Sequence, residues 1–185
     1  GEFSVDVVFA VDGIYRFFAD FTPKDNNPQK LPVTVYSDLN VGDVSNFQPH
    51  ALTADTKTEK VLPPDYQVVF SFANELESQN PTTYTLTVTK NNKSVKLEKY
   101  LGALGHSVVL KEGTLDYIHT HAGDQSEMGS QSGHEGHAMN TLAKESNKID
   151  FSTTFPEPGN YKIFIQFQHE GRVFTTDYVV TVKMK

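Results

Sequence analysis

Short runs of alternating apolar and polar residues recur along the chain and predict an all-β protein. β-Branched and aromatic residues dominate these runs, and both are typical of strands. The predicted strands cover residues 5–9, 15–21, 33–36, 66–72, 84–89, 94–97, 106–110, 115–121, 151–155, 161–167 and 173–182. Turn dipeptides separate several of them, at Asp12-Gly13, Asn91-Asn92, Glu112-Gly113, Pro158-Gly159 and Glu170-Gly171. Many short strands at this spacing predict an immunoglobulin-like (cupredoxin-like) β-sandwich.

Two parts of the chain share one aromatic pattern. Residues 3–36 align with residues 149–182 without a gap, and the shared pattern reads F-x-x-x-G-x-Y-[KR]-x-F-x-x-F. A turn glycine followed by aromatic residues at period two predicts two strands that meet at a tight corner. The tyrosine of such a corner can donate a hydrogen bond back to the backbone. We interpret the pattern as an internal duplication, and chance similarity between two Phe- and Tyr-rich strands is the alternative.

The repeat predicts how the chain is divided. Predicted strands precede the second copy from about residue 61, whereas almost nothing precedes the first copy. We therefore expect residues 1–38 to be an extra N-terminal β-hairpin, the last strands of an incomplete first unit. Residues 39–60 would be a linker, and residues 61–185 a complete sandwich with a His/Met-rich loop at 122–147. Since a lone hairpin exposes strand edges, we expect it to pair with another part of the chain or with a second copy as a homodimer.

Composition and charge exclude several functions. The 185 residues carry a formal net charge of −7 and form no basic stripe, so we expect no nucleic-acid partner. Cysteine is absent, which excludes disulfides, thiolate zinc sites, iron–sulfur sites and the usual blue-copper centre. A metal site would have to use histidine, methionine, carboxylate or backbone groups. None of the common hydrolase, nucleotide-binding or zinc-protease motifs occurs, so we expect no enzymatic activity.

Five of the seven histidines lie between residues 106 and 137. If Glu112-Gly113 forms the turn of a hairpin, His106 falls directly opposite His119, with about 4.5–5.5 Å between the Cβ atoms. His121 follows two residues after His119 and shares its face. Three imidazoles could then reach one ion at about 2.0–2.1 Å. The site depends on the register, because a slip of one residue would send His106 to the other face.

The stretch after His121 adds further candidate ligands. It is polar and rich in glycine and serine, so it cannot pack a core. It contains side chains that bind metals: Met128, His134, His137 and Met139, with Asp124 and Glu135 as oxygen donors. Methionine with histidine suits Cu(I), whereas histidine with carboxylate suits Cu(II) or Zn(II). The alternative is a solvated insertion without ligands.

Four stretches of the chain resemble a bacterial family of uncharacterised secreted or membrane-anchored proteins with tandem immunoglobulin-like units. They are Tyr100-Leu-Gly-Ala-Leu-Gly-His106, Tyr117-Ile-His-Thr-His121, Phe155-Pro-Glu-Pro-Gly-Asn-Tyr161 and Phe164-Ile-Gln-Phe-Gln-His169. Members of that family are often encoded near copper-handling genes. The resemblance implies a location in the periplasm, at the cell surface or in the medium, and a link to heavy metals. In that family a proline often follows the His-x-His, where this chain has Ala122.

The sequence thus predicts an extracytoplasmic metal-binding module, for copper with zinc as the alternative, that binds, buffers or transfers the ion. His106, His119 and His121 would form the primary site, and the loop residues would add ligands. The second hypothesis is a structural or adhesive β-sandwich that binds an envelope protein and has no metal role. Two isolated histidines, His50 and His169, are interpreted as ordinary exposed or hydrogen-bonded residues.

Overall fold

Antiparallel strands make up most of the described part of the protein. The structure, a computed structural model, describes residues 2, 4–21, 23, 33–122 and 147–185. Its strands are β1 Gly13–Phe21, β2 Val33–Val41, β3 Glu59–Leu62, β4 Tyr66–Phe72, β5 Pro81–Lys90, β6 Lys93–Ser94, β7 Gly105–Lys111, β8 Tyr117–His121, β9 Lys148–Thr154, β10 Gly159–His169 and β11 Arg172–Val182. In the described ranges, no helix has the length and apolar character needed to cross a membrane.

The strands form two compact units, residues 1–50 and residues 51–185. In the second unit, one sheet has the order β11-β10-β7-β8, and the other has the order β3-β4-β5-β6 with β9 also paired to β5. The first unit contains the two-stranded sheet β1-β2. All pairs between these strands are antiparallel. The predicted all-β sandwich with an additional N-terminal hairpin is therefore confirmed.

The core of the second unit lies between its two sheets. Alternate residues of β10 are completely buried, as are alternate residues of β5, because each strand turns one face toward the other sheet. Aromatic rings carry much of this contact. The rings of Phe70 and Tyr178, on opposite sheets, stack with 4.3 Å between centroids, and those of Tyr84 and Phe151, on paired strands of one sheet, stack at 5.3 Å.

Two of the predicted turns form tight hairpins. Glu170 and Gly171 have φ angles of 52° and 69°, and they join His169 to its partner Arg172. Asn91 and Asn92, with φ angles of 50° and 60°, join β5 to β6 in the same way. Positive φ at both central residues is typical of the turn whose twist matches that of the paired strands, and glycine and asparagine tolerate it best.

Some predicted strand boundaries are wrong. Residues 5–9 were expected to be a strand, but the described residues 4–9 are not in one. The strand expected at 94–97 is only the two-residue β6. Conversely, β3 lies at the end of the stretch that was predicted to be a linker. This strand reads Glu-Lys-Val-Leu, and its short apolar portion is too brief to be recognised by period.

The aromatic corner occurs in both copies of the repeat. The Tyr161 hydroxyl donates to the Glu157 carbonyl at 2.8 Å, and the Tyr15 hydroxyl donates to the Val11 carbonyl at 2.8 Å. The Phe155 and Tyr161 rings lie 4.9 Å apart at 62°. The corresponding rings of the first copy, Phe9 and Tyr15, lie 4.6 Å apart at 59°. Equivalent residues therefore form the same corner in both copies.

The gapless alignment fails beyond the first strand of each copy. In the second copy Gly159 pairs with Val182, and in the first copy Gly13 pairs with Val41. A gapless alignment would place Tyr36 in the position of Val41. The second strand of the first copy is thus displaced by five residues, which a longer connection between β1 and β2 accommodates.

Removing the hydroxyl group is expected to change the stability of the protein differently at two core tyrosines. Tyr161→Phe loses the bond to the Glu157 carbonyl and should lower the free energy of unfolding by about 1 kcal/mol. The buried Tyr178 hydroxyl makes no hydrogen bond of good geometry among the described residues, with only the Thr176 hydroxyl as a neighbour that could bond it, and burial raises the pKa of Tyr178 to about 12. Tyr178→Phe should therefore leave the stability unchanged or raise it. Urea unfolding of both variants checks this, and an equal loss in both would contradict it.

Candidate metal site

The β7–β8 hairpin carries the three strand histidines. His106 lies directly opposite His121, and Val108 lies directly opposite His119. The predicted pairing of His106 with His119 is therefore wrong by two residues. A shift of two preserves the alternation of a strand, so positions 106, 119 and 121 still belong to the same face of the pair. Directly opposite Cβ atoms lie about 4.5–5.5 Å apart, and diagonal ones about 7–8 Å apart.

The register differs because the connection is longer than a two-residue turn. Residues 112–116 separate the strands, and the Lys111 carbonyl accepts a hydrogen bond from the Leu115 amide at 2.9 Å. The Thr114 hydroxyl donates to the Asp116 carboxylate at 2.7 Å. Gly113 and Leu115 adopt positive φ angles of 83° and 57°. Glutamate and glycine at 112 and 113 are thus only the first part of the loop.

The His106 ring is held by the chain that precedes β7. Its Nε2 atom lies 2.8 Å from the Tyr100 carbonyl oxygen, and the ring meets the Tyr100 ring edge-on with 5.7 Å between centroids. A carbonyl only accepts hydrogen bonds, so Nε2 carries the proton and donates it. In the neutral imidazole the lone pair is then on Nδ1. Metal-binding histidines are commonly oriented by this kind of bond from the other ring nitrogen to a backbone carbonyl.

A tight turn lies just before β7 and His106. Tyr100 and Ala103 exchange two backbone hydrogen bonds, at 2.8 and 3.2 Å, across Leu101 and Gly102, which have φ angles of 48° and 92°. Gly105, the first residue of β7, lies where there is no room for a side chain. A Cβ atom there would lie 2.9 Å from the Gln166 carbonyl oxygen and 3.0 Å from the Ile149 side chain.

The end of β8 is tied to the same glycine. The Ala122 amide donates to the Gly105 carbonyl at 3.2 Å, which continues the pairing one residue beyond His121. Gly105 therefore contacts β10 on one side and the chain after β8 on the other. The position of His106 relative to His121 is consequently fixed from both neighbouring strands.

A buried group of hydroxyls lies on the core side of this hairpin. The Tyr84 hydroxyl is 2.6 Å from the Ser107 hydroxyl and 3.3 Å from the Thr120 hydroxyl. Ser107 and Thr120 are directly paired across β7 and β8. Burial raises the pKa of Tyr84, so the phenol stays neutral and can both donate and accept. A slipped register would separate these hydroxyls and leave polar atoms buried without partners, which costs about 1–3 kcal/mol each.

The structure describes the remaining predicted site residues only in part. For His119 and His121 the structure describes the backbone as part of β8. The loop candidates lie outside the described residues: Met128, His134, His137 and Met139, with Asp124 and Glu135. Among the side chains that are described, no group of three or more histidine, aspartate or glutamate residues is arranged to hold a metal ion. The three-histidine site therefore stays a prediction.

His169 has an ordinary structural role. Its Nδ1 atom lies 2.7 Å from the Tyr66 hydroxyl, and its ring packs edge-on against the Tyr66 ring. This agrees with the interpretation of His169 as a hydrogen-bonded residue. The features that sequence reasoning missed are the Tyr100 carbonyl and the Tyr84–Ser107–Thr120 hydroxyl group. The glycine-containing turn before His106 was a sequence signal that the chain folds back there. The three hydroxyl residues are far apart in the sequence, and their spacing gives no signal that they meet.

Comparison with known proteins gives one family. Residues 60–184 match the family described as Domain of unknown function (DUF8832). The matched range includes β3 from its second residue, all of β4 to β11 and so the whole β7–β8 hairpin. The searches of curated proteins and of solved structures each gave no match.

Gly105 is expected to be intolerant of a side chain. Gly105→Ala places a methyl group against the Gln166 carbonyl, and relief requires backbone movement, so we expect a loss of about 1–3 kcal/mol in stability. Gly13→Ala is the control, because its Cβ would meet only ordinary contacts at 3.6 and 3.7 Å. Urea unfolding measures both. A Gly105→Ala variant as stable as the wild type would show that β7 and β10 approach less closely than described.

The His106 tautomer is also predicted. Nitrogen-15 NMR of the metal-free protein at neutral or alkaline pH should show a protonated Nε2 and an unprotonated Nδ1, because Nε2 donates to the Tyr100 carbonyl. His50 provides the comparison, since an exposed imidazole normally interconverts between tautomers. A protonated Nδ1 in neutral His106 would contradict the described hydrogen bond.

Proposed function

The chain belongs to the DUF8832 family, and for this member we propose an extracytoplasmic metal-binding function in which the β7–β8 hairpin binds copper. Zinc is the alternative ion. His106, His119 and His121 form the primary site, and the 122–147 loop supplies further ligands from Met128, His134, His137 and Met139. The protein binds, buffers or hands on the ion and does not catalyse a reaction.

The hairpin register is the observation that supports this proposal best. His106 and His121 are directly opposed residues on neighbouring strands, and His119 is one diagonal step away. Directly opposed residues on one face are close enough for two imidazoles to share an ion with bonds of about 2.0–2.1 Å. A third imidazole at the diagonal position can complete a three-coordinate arrangement, because a histidine side chain spans several ångströms.

The hydrogen bond of His106 supports the same proposal. With Nε2 donating to Tyr100, the ring is oriented and its basic nitrogen is Nδ1. An oriented neutral imidazole loses less freedom on metal binding than a freely rotating one. The ligand set also favours copper, since divalent copper binds nitrogen sites more tightly than zinc does. Methionine sulfur in the loop would add affinity for Cu(I).

The location outside the cytoplasm is inferred from the resemblance of the four stretches named above. It is tested by fractionating cells that express the full-length gene and detecting the protein in each fraction. Recovery in the cytoplasmic fraction alone would contradict this part of the proposal.

A protein-binding β-sandwich is the second candidate function. The observation that favours it is the set of large apolar side chains exposed on the N-terminal unit, which include Phe17, Phe21, Val35 and Leu39. Exposed apolar clusters of this kind are typical of interaction surfaces. An envelope protein that binds in the presence of a chelator, and equally well to histidine variants, would support this second candidate over the first.

Metal titration tests the primary proposal. Calorimetric titration of the metal-free protein with Cu(II) and Zn(II), and competition titration with Cu(I), gives the dissociation constants. Loss of an outer-shell partner alone costs about 10–100-fold in metal affinity, so loss of a ligand should cost at least that much. We expect this weakening in His106→Ala, His119→Ala and His121→Ala. His50→Ala is the matched control, because His50 lies in the other unit, and it should bind as the wild type does.

Two further results separate the strand site from the loop. A His134→Ala plus His137→Ala variant should retain tight binding of one ion and weaken only the contribution of the loop. X-ray absorption of the copper-loaded protein should show imidazole ligands in the wild type and fewer of them in His106→Ala. Unchanged affinity in a His106→Ala plus His121→Ala variant that keeps its β-sheet circular dichroism would defeat the proposal.

A further inference from the structure

One face of the N-terminal hairpin is apolar along its whole length. The register pairs its residues across the two strands, and we call them the hairpin face: Gly13, Tyr15, Phe17, Ala19, Phe21, Val33, Val35, Ser37, Leu39 and Val41. Ser37 is its one polar member. The opposite face is mixed, because Ile14, Phe18 and Tyr36 lie on it among polar residues, and it carries a bidentate ion pair between Arg16 and Asp38 at 2.7 and 2.8 Å. All the charged side chains of the two strands lie on this opposite face, as expected of a sheet whose other face packs in a core.

The hairpin face is nevertheless exposed. Phe21 is 49% exposed, Val35 48% and Leu39 44%. The corresponding face of β10, in the second copy of the repeat, carries Tyr161, Ile163, Ile165 and Phe167, each 0% exposed. The contrast is not one of composition, because both faces are built from aromatic and branched apolar residues. It arises because β10 faces a second sheet.

The second copy thus shows what covers such a face. β10 and β11 contribute to a core whose other side comes from β4, β5 and β9. Two sheets packed in this way lie about 10 Å apart with interdigitated side chains. An isolated two-stranded hairpin is at best marginally stable in water. The occupant that fits the hairpin face is therefore another β-sheet with an apolar face.

We propose that this second sheet is the hairpin face of a second copy of the chain, so that two copies form a symmetric dimer. The face carries no charged residue, so two copies meet without repulsion between like charges. A twofold axis brings one patch against itself, which is the commonest form of homodimer interface. In the described part of the chain, the sandwich of the second unit already buries its own apolar sheet faces in its core.

The segment that precedes β1 extends the hairpin face. A nine-residue strand spans about 30 Å, and a specific interface buries about 800 Å² on each partner. The hairpin face alone is narrow, since it is two strands wide. Phe9 packs on Tyr15 at 4.6 Å and on Phe17 at 6.0 Å, so the segment before β1 lies against this face. Val5, Val7, Val8 and Val11 of that segment are also exposed.

Sedimentation equilibrium of the 185-residue chain over a concentration series tests the dimer. A chelator is present throughout, so that a metal-bridged dimer does not contribute and the result is independent of the proposed copper site. The wild type should dimerise. Val35→Lys, on the hairpin face directly opposite Ala19, should raise the dimer dissociation constant at least tenfold. Thr34→Lys is the matched control, because Thr34 is the adjacent residue on the opposite face and lies beside Asp20. It should dimerise as the wild type does.

Each of the other outcomes overturns the proposal. A monomeric wild type would mean that the cover of the hairpin face is not a second copy. A Val35→Lys variant that dimerises normally would place the interface elsewhere, and equal losses in both variants would make the effect one of charge alone. Hydrogen exchange of the wild type at two concentrations tests it without substitutions. The β1 and β2 amides should be more protected at the higher concentration, and unchanged protection contradicts the proposal.

Discussion

The pairing of β7 with β8 is the constraint on which the candidate site depends. Strand pairing itself leaves the register open to shifts by an even number of residues, because such shifts keep each side chain on its face. Two features remove that freedom. The Tyr84, Ser107 and Thr120 hydroxyls meet in the core, and they do so in one register only. Gly105 lets β7 approach β10 closely and also accepts the amide of Ala122 beyond the end of β8. Contacts on the core-facing side of the hairpin therefore determine which residues lie opposite each other on its other face, where the histidine positions are.

This dependence explains which parts of the site could be predicted from the sequence. The placement of His106, His119 and His121 on the same face follows from period two and needs no knowledge of the turn. The identity of the opposed pair does need it. Glu112-Gly113 resembles a complete two-residue turn, but the connection extends through Thr114 and Asp116, whose side chains bond to each other. Loop closure through local side-chain bonds of that kind has no periodic signal. The Tyr100 carbonyl that orients His106 is a backbone group, and the glycine-containing turn before His106 indicates only that the chain turns there, not which carbonyl accepts the bond.

The fold shows the same division between local and distant information. Most of the alternating strands, the positions of the two tight turns and the aromatic corner come from residues close in sequence, and these were predicted correctly. The misplaced elements are those decided by neighbours far along the chain. Residues 5–9 have the composition of a strand but are not in one. β3 has a weak strand composition, yet it pairs with β4 along its whole length. Strand propensity measures how well a residue fits a sheet surface, and it therefore depends on the partner that the sheet provides.

The two copies of the repeat show, within one molecule, which features nearby residues determine and which features distant parts of the chain determine. Phe9 with Tyr15 and Phe155 with Tyr161 form nearly the same ring contact and the same hydrogen bond to the fourth residue before the tyrosine. The corner is thus encoded locally, since it forms alike in two different surroundings. Burial is not encoded locally, because Phe167 is inaccessible to solvent whereas its counterpart Phe21 is half exposed. Residues typical of a sandwich core retain their preference for a second sheet even where the described part of their own unit does not supply one. A hairpin with such a face gains stability from an apolar sheet that packs on it, and this is the physical basis of the proposed dimer.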